Sequence, residues 1–240
     1  MKKLLLLLFF LPLTAQAQWQ DVLNQVKDQL GKLSTQNSSV DIAGGLKEAL
    51  NNGISKQVSK LTATDGFYKN QLVKITFPDE MQKVDKTLRK IGLKKLADDG
   101  IKSLNRAAEE AVKEATPIFV NAIKNMSFND AKSILMGNES AATDYLKGTT
   151  TSDLYAQFNP IIQQSIGKVG ADKIWTNIIK KYNNLPGTSK VNPDLTDYVT
   201  QRALEGVFKM IAVEEKDIRT NLRARSSDLL KKVFALQDRK

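Results

Sequence analysis

Two neighbouring acids and an arginine have residue types and a spacing that could support chemistry. Glu214 and Glu215 are adjacent, and Arg219 follows Glu215 by four residues, which is about one turn of a helix. A carboxylate shielded from water could transfer a proton, or it could cleave a glycosidic bond together with a second acid across a cleft. Arg223 and Arg225 follow closely, so the same stretch could instead bind an anion.

The apolar residues around Glu215 favour a structural role for this group. At about 100° per residue, Glu215 falls on the apolar face of a helix, between Ile211 and Ile218. A buried carboxylate needs a partner, and Arg219 has the spacing to provide one. The sequence therefore predicts a buried salt bridge that fixes helix packing. Replacing both partners with apolar residues should then cost much less stability than removing one of them.

An alanine-rich helical face contains a second polar candidate. Asn105 lies at the edge of this face and is predicted to hydrogen-bond the backbone of a neighbouring helix. Arg106 and Glu110, like Glu109 and Lys113, have the spacing of surface ion pairs. All of these side chains are interpreted as parts of the fold, and no residue is predicted to be catalytic or to bind a cofactor.

Missing residue types exclude several kinds of active site. The chain contains no cysteine and no histidine, which excludes thiolate nucleophiles, disulfides, serine–histidine triads and ordinary zinc sites. It also has no glycine-rich phosphate loop and no twelve-residue calcium loop with alternating acids. Asp130 and Asp144 could be read as cation ligands, but Asp130 belongs to a capping-box pattern that begins at Ser127. The sequence therefore predicts no metal and no cofactor.

The first 17 residues have the pattern of a cleaved signal peptide. Two lysines precede a mainly apolar run, residues 4–13, and Ala15 and Ala17 form a small-x-small cleavage site. The apolar run is about half as long as a membrane-spanning helix, and no cysteine follows it for lipid attachment. We therefore predict export to the periplasm, cleavage after Ala17 and no transmembrane segment in the mature chain.

The charge of the chain bears on its partners. The formal net charge is +10, and the predicted loss of two lysines with the signal peptide leaves +8. Such a balance suggests nucleic acid in a cytoplasmic protein, but export argues against that partner. We expect the partner to be an envelope protein, an anionic lipid or an anionic polymer instead, and the protein could attach peripherally to a membrane. The alternative is that the basic surface serves solubility alone. Residues 229–234 carry apolar side chains on one side and Lys231 and Lys232 on the other, so they could lie on such a membrane or pack on the core.

The mature chain is predicted to contain a single helical domain, residues 40–236, with a short segment at either end. Residues 18–39 comprise an amphipathic helix, to residue 33, and a polar linker. Residues 237–240 form a polar tail that should fray. The longest predicted helix covers residues 197–222, where apolar side chains recur at intervals of three and four.

Glycine, proline and capping residues divide the domain into about ten mostly short helices. The predicted helices cover residues 42–51, 54–61, 78–91, 93–126 with a kink or division at Pro117, 127–135, 140–147, 153–167, 171–182, 197–222 and 227–234. Gly148 should end one of these helices, and the hydroxyls of residues 149–152 should cap the next. Residues 72–77 alternate between apolar and polar, but a lone strand lacks a partner, so we expect at most one short strand-like connector. The predicted fold class is all-α, an irregular orthogonal bundle.

Eight segments spread along the mature chain form a recognisable series. They are LKEALNNGI (46–54), DGF (65–67), LRKIGL (88–93), NRAAEEA (105–111), TPIFVNAIKNMSFNDAKSIL (116–135), AATDYL (141–146), YVTQRALEGVFKMIAVEEKDIR (198–219) and ARSSDLLKKVF (224–234). The series resembles a Gram-negative bacterial family known as domain of unknown function 4197. The resemblance implies an exported helical domain, and it implies no activity, ligand or catalytic residue.

These observations favour an exported cell-envelope protein that is not an enzyme and that binds a partner protein or an apolar or anionic envelope ligand. Two alternatives remain open from the sequence. One is a carboxylate-dependent hydrolase acting on envelope glycan, in which Glu214 or Glu215 would need a second acid across a cleft. The other is a structural or assembly factor at the outer membrane.

Overall fold

A computed structural model of the chain describes residues 42–168, 171–184, 190 and 194–238. Within these residues the structure contains α-helices, short 3-10 turns and connecting segments but no β-strand, which confirms the predicted all-α class. The predicted signal peptide, the amphipathic helix and linker of residues 18–39, and most of the segment between the predicted helices 171–182 and 197–222 lie outside the described residues. The described residues begin at Ile42, and those from Ile42 onward form one compact unit.

The helices are numbered in chain order. They are α1 (residues 42–62), α2 (Gln82–Lys90), α3 (Lys94–Ala111), α4 (Ala115–Asn125), α5 (Phe128–Leu135), α6 (Ala141–Lys168), α7 (Ala171–Asn183), α8 (Thr196–Thr220) and α9 (Asp228–Phe234). The two longest of these helices, α6 and α8, pack along each other, and α6 also packs on α3 and α4. The bundle is therefore organised around the pairing of α6 and α8.

Helix α6 differs from the prediction of two short helices at residues 140–147 and 153–167, which is wrong. The structure has one helix of 28 residues that runs through Gly148. The hydroxyls of the three threonines at 149–151 donate to carbonyl oxygens four residues earlier, at 2.9, 2.6 and 2.6 Å. Because these hydroxyls are satisfied inside the helix, they do not cap a new one. Packing of the fully buried Leu154 against the core offsets the cost of the interior glycine.

Helix α1 is also longer than predicted, since residues 42–51 and 54–61 belong to one helix. The sequence around Gly53 suggested a break, but this glycine is buried against α8. A Cβ added to Gly53 would lie 3.2 Å from Cγ of Glu214. Gly53 therefore permits a close approach of α1 to α8 and does not end the helix.

Other breakers act as predicted. Pro117 lies in the first turn of α4, and a 3-10 turn at Val112–Glu114 separates α3 from α4. Gly92 ends α2 with a positive φ of 83°, and the N–H of Leu93 donates to the carbonyl of Leu88 at 2.8 Å. The predicted capping box is present, because the Ser127 hydroxyl and the Asp130 carboxylate each accept from the other residue's backbone N–H.

Helix α8 ends two residues before the predicted boundary at Leu222. Asn221 has extended backbone angles, and a 3-10 turn at Leu222–Ala224 follows. Leu222 is consequently 66% exposed. The prediction that it belongs to the buried face of the long helix is wrong, because the chain leaves the helix before reaching it.

The apolar side chains form two core clusters. The larger one contains Phe67, Phe119 and Phe158, all fully buried, with apolar residues of α3, α6 and α8. The smaller one joins the start of α1 to α5 and α9, through Leu46 and Phe234 among others. The apolar side of α9 is thus covered by protein, so the possibility that it lies on a membrane is not supported.

Two glycines inside helices should respond oppositely to alanine. A Cβ on Gly206 of α8 would lie 2.7 Å from Cε1 of the buried Phe67, whereas a Cβ on Gly148 of α6 meets nothing within 4 Å. We expect Gly206→Ala to lower the free energy of unfolding by about 1–3 kcal/mol because of overpacking. Gly148→Ala should raise it by about 0.5–1 kcal/mol, since alanine favours the helix. Urea unfolding of both variants measures this, and an unchanged Gly206→Ala protein would contradict the described packing of Phe67.

Candidate functional site

The carboxylate of Glu215 joins α8 to the beginning of α6. Oε1 accepts from the backbone N–H of Ala142 at 2.9 Å, and Oε2 accepts from the N–H and the hydroxyl of Thr143 at 2.8 and 2.7 Å. Oε1 also accepts from Nε and Nη2 of Arg219, at 3.0 and 2.8 Å. Glu215 is 7% exposed. Its two oxygens therefore accept five hydrogen bonds and serve as the N-terminal cap of another helix.

Arg219, one helical turn after Glu215, binds the end of α5. Its Nη2 donates to the carbonyl of Ile134 at 2.8 Å, and its Nη1 donates to the carbonyl of Leu135 at 3.3 Å. These are carbonyls at the C-terminal end of α5, where helices leave acceptors unpaired. The acid thus contacts a helix N-terminus and the base contacts a helix C-terminus, so both match the helix dipoles.

Arg225 and the C-terminal residues extend the buried network. Arg225 donates to the carbonyls of Ile218 and Arg219 at 3.1 and 3.0 Å, and it forms an ion pair with Asp238. Gln237 accepts from Nη1 of Arg219 at 3.1 Å. Gln237 and Asp238, the first two residues of the tail that was predicted to fray, therefore contact buried arginines. Arg225 also donates to carbonyl groups at the end of α8. The third arginine of the group, at position 223, is exposed.

Glu214 points away from Glu215 and contacts α1. Its carboxylate accepts from Nζ of Lys56 at 2.6 Å and also from the side-chain amide of Gln57. Glu214 is buried despite its charge. The two adjacent acids therefore connect α8 to different helices, and they do not form a carboxylate pair across a cleft.

Asn105 belongs to a separate polar cluster, and its partner is not the predicted one. Its side chain accepts from the N–H of Ile75 and donates to the carbonyl of Ile75, both at 2.8 Å. A third bond, at 2.7 Å, reaches the carbonyl of Ile101 within the same helix. The prediction of a bond to a neighbouring helix is wrong: the amide pairs with an extended connector, where it replaces the missing strand partner.

Glu109 is a buried polar residue that sequence reasoning placed on the surface. It is 5% exposed and accepts from the backbone N–H groups of Phe67 and Tyr68 at 3.1 and 3.4 Å. It pairs with Arg106, which also bonds to Asp65. The turn at Asp65, where φ is 69°, was the one sequence feature that indicated a buried acceptor here, because the backbone N–H groups that follow a turn need acceptors. Nothing in local spacing connects that turn to α3.

Among the described residues, two polar clefts lie near these clusters. One, of about 610 Å³, is lined by Arg106, Glu109 and Lys113 among others, and four of its charged side chains form two ion pairs, Arg106 with Glu109 and Lys113 with Glu110. These pairs replace the predicted ones. Among the described residues, no group of three or more acidic side chains could hold a metal ion.

The other cleft, of about 270 Å³, lies between residues 72–76 and one face of α8. Tyr198 donates to the carbonyl of Thr76 at 3.0 Å across this groove, and burial raises the pKa of Tyr198, so that the hydroxyl keeps its proton. Arg202 in the groove pairs with Glu205 at 2.6 Å. The groove is thus a polar surface with a net positive lining.

A small cavity adjoins the two acids. It has a volume of about 30 Å³ and is lined mainly by apolar residues of α1 and α8, including Leu50 and Ile54. Such a volume has room for one or two water molecules. It is too small for a lipid chain or a sugar. In the part of the chain that the structure describes, no helix is long and apolar enough to span a membrane.

Removing the carboxylate of Glu215 should strongly destabilise the protein. We expect Glu215→Ala to cost about 3–5 kcal/mol, because Arg219 would be left buried without its counter-ion. The structure changes the expectation for the double replacement. Glu215→Leu with Arg219→Met should not recover this stability, since backbone groups at the ends of α5 and α6 would lose their partners. Urea unfolding measures both variants.

The exposed Glu205 on the same helix provides the matched control. Glu205→Ala should stay within about 0.5 kcal/mol of the parent. A Glu215→Ala protein that is equally stable would show that the network contributes nothing.

The contact between Arg225 and Asp238 should depend on pH. The hydrogen bond from Arg225 lowers the pKa of Asp238 below its ordinary value of 3.8. A depressed carboxyl pKa adds stability above the unfolded-state pKa, and that stability is lost as the pH falls through the folded-state value. Asp238→Asn should therefore unfold at lower urea than the parent near neutral pH, and the difference should vanish in acid below the folded-state pKa. A difference that is constant across this range would contradict the ion pair.

Comparison with known proteins identifies a family that this chain matches. The family described as "Protein of unknown function (DUF4197)" matches residues 36–235, which is most of the chain and nearly all of the described residues. No curated protein matches the chain, and no solved structure does. The match covers Glu214, Glu215 and Arg219 of α8, the helix ends that they contact and the turn held by Glu109, and it ends before Gln237 and Asp238. The chain therefore belongs to the DUF4197 family of proteins of unknown function.

Proposed function

We propose that the protein is an exported, non-enzymatic domain that binds an anionic component of the cell envelope. The observation that supports this proposal best is the hydrogen bonding of the two adjacent acids. Glu215 accepts five hydrogen bonds, three from the first turn of α6 and two from Arg219, and Glu214 accepts from Lys56 and Gln57. Acids held in this way stabilise the fold, and each of their four oxygens already accepts a hydrogen bond from the protein, which argues against a role in proton transfer.

The size of the cavity beside these acids favours a surface interaction. An apolar ligand would need several times the volume of about 30 Å³ that is present there. Arg219 and Arg225 are buried, but none of the lysines whose burial the structure describes is buried, and most of them are exposed. The chain carries 36 lysines and arginines against 26 acids, and an excess of this kind attracts anionic surfaces and polymers.

Export is the part of the proposal that rests on the first 17 residues. The two lysines, the short apolar run and the alanines at positions 15 and 17 form a signal-peptide pattern. Anionic lipids and polymers are what a basic protein would meet in the envelope. A role in assembly at the outer membrane would use the same kind of contact, and it differs in requiring a defined protein partner.

The proposal is tested with the processed chain and isolated Gram-negative cell envelopes. N-terminal sequencing of the protein from the periplasmic fraction should begin at Gln18. This protein should sediment with envelopes at low salt and be released at about 1 M salt, where the Debye length falls to about 3 Å. The envelopes should release no soluble glycan during the incubation. Release of glycan that grows with time would show an enzyme, and a native chain that retains Met1 would contradict export.

A further inference from the structure

We propose that the hairpin formed by α2, the following turn and the start of α3 docks on an anionic lipid surface. In this arrangement Ile91 enters the layer of lipid headgroups, and the surrounding lysines contact lipid phosphates. We call residues 83–95 the basic hairpin. The inference deepens the proposed function and rests on it for the location, because it names anionic lipid as the envelope component that is bound.

The basic hairpin has a preformed shape. Arg89 connects its two helices, since Nε donates to Asp85 at 2.9 Å and Nη2 donates to Asp98 at 2.8 Å. Gly92 takes the positive φ that the turn requires, and the N–H of Leu93 closes the turn on the carbonyl of Leu88. A turn that is already ordered loses little conformational entropy when it binds.

Ile91 projects from the end of the basic hairpin. It is 62% exposed, and its chain neighbours Lys90 and Gly92 are exposed as well. The apolar residues on either side along the chain are Leu88, which is buried in the core, and Leu93, which is half-buried and packs against it. Among the described residues, Leu222 is the one other large apolar side chain that is more than 60% exposed. An isolated apolar side chain at a tip is suited to shallow insertion into a membrane interface.

The charge around Ile91 is unusually dense. The basic hairpin contains six basic side chains and one acid, a net charge of +5 in a chain whose total is +10. Arg89 is paired with acids, but the five lysines are exposed, and none has a carboxylate within ion-pair distance among the described residues. The lysines are Lys83, Lys86, Lys90, Lys94 and Lys95. Clusters of four to eight basic residues beside an apolar anchor recognise anionic lipids.

The combination of charge and an apolar tip favours a lipid surface over a soluble polyanion. Lysine stems are apolar, so Lys90 and Lys94 can lie along lipid chains while their ammonium groups reach the phosphates. A soluble polymer would use the same lysines and would gain nothing from Ile91. The contribution of Ile91 therefore separates the two kinds of partner.

The test is co-sedimentation of the processed chain with lipid vesicles. The parent should bind vesicles of phosphatidylglycerol and phosphatidylcholine and should not bind phosphatidylcholine alone. Ile91→Ser should weaken binding by about fivefold, because an apolar anchor is lost. Lys90→Glu with Lys94→Glu should weaken it by at least about tenfold. All variants carry the same N-terminal segment, so differences in binding report on the hairpin.

Matched controls come from exposed residues outside the basic hairpin. Leu222→Ser tests loss of an exposed apolar side chain, and Lys132→Glu with Lys147→Glu tests an equal change of net charge. Each control should keep the parent's affinity within about twofold. Circular dichroism should show that every variant remains helical.

Three outcomes would overturn the proposal. The first is a parent chain that does not bind vesicles containing phosphatidylglycerol. The second is equal weakening by the control charge reversal, which would mean that net charge alone drives binding. The third is an Ile91→Ser protein with the parent's affinity, together with equal competition by soluble polyglutamate, which would identify a polyanion site. None of these outcomes affects the envelope-binding assay, which tests the proposed function separately.

Discussion

The ion pair between Glu215 and Arg219 holds the ends of two other helices. The acid accepts from the first N–H groups of α6, and the base donates to the last carbonyls of α5. Each charge is taken out of water, and this cost is offset by the partner charge and by backbone groups that would otherwise be buried without partners. One helical turn of α8 thereby provides hydrogen-bond partners for the last carbonyls of α5 and the first N–H groups of α6, on either side of the loop that joins these two helices. This pair also explains why an acid can occupy the apolar face of a long helix.

The smaller core depends on this connection. It consists of apolar residues from α1, α5, the first turn of α6 and α9, and these elements meet the end of α8. Glu214 attaches α1 to α8, where Gly53 allows the two helices to approach closely. Arg225 attaches the C-terminal residues through Asp238. Charged groups therefore connect α1 and the C-terminal residues to α8, in addition to the apolar contacts of the smaller core.

Polar side chains also replace secondary structure that the connectors lack. Asn105 bonds to both backbone groups of Ile75, as a neighbouring strand would. Glu109 accepts from the N–H groups that follow the turn at Asp65. The acids and amides of the core are thus consumed by the fold, whereas exposed lysines remain on α2 and α3. This division is why the proposed activity is binding by a basic surface.

The sequence alone determined those features that depend on neighbours along the chain. Apolar spacing identified the helical class and the long helix α8, and local patterns located the capping box at Ser127 and the stop at Gly92. The four-residue spacing also brings Arg219 beside Glu215. Such features are readable because helices relate residues three and four positions apart.

Tertiary structure decided which distant groups meet. Ala142 lies 73 residues from Glu215 and Phe67 lies 42 residues from Glu109, so no local pattern connects them. Helix α6 continues through Gly148 and its threonines because burial against α8 and α3 outweighs the local tendency to end a helix there. Propensities for helix ends amount to about 1 kcal/mol each, and the packing of a long buried face exceeds them. The partners of buried polar groups follow from that packing, which is a property of the whole chain.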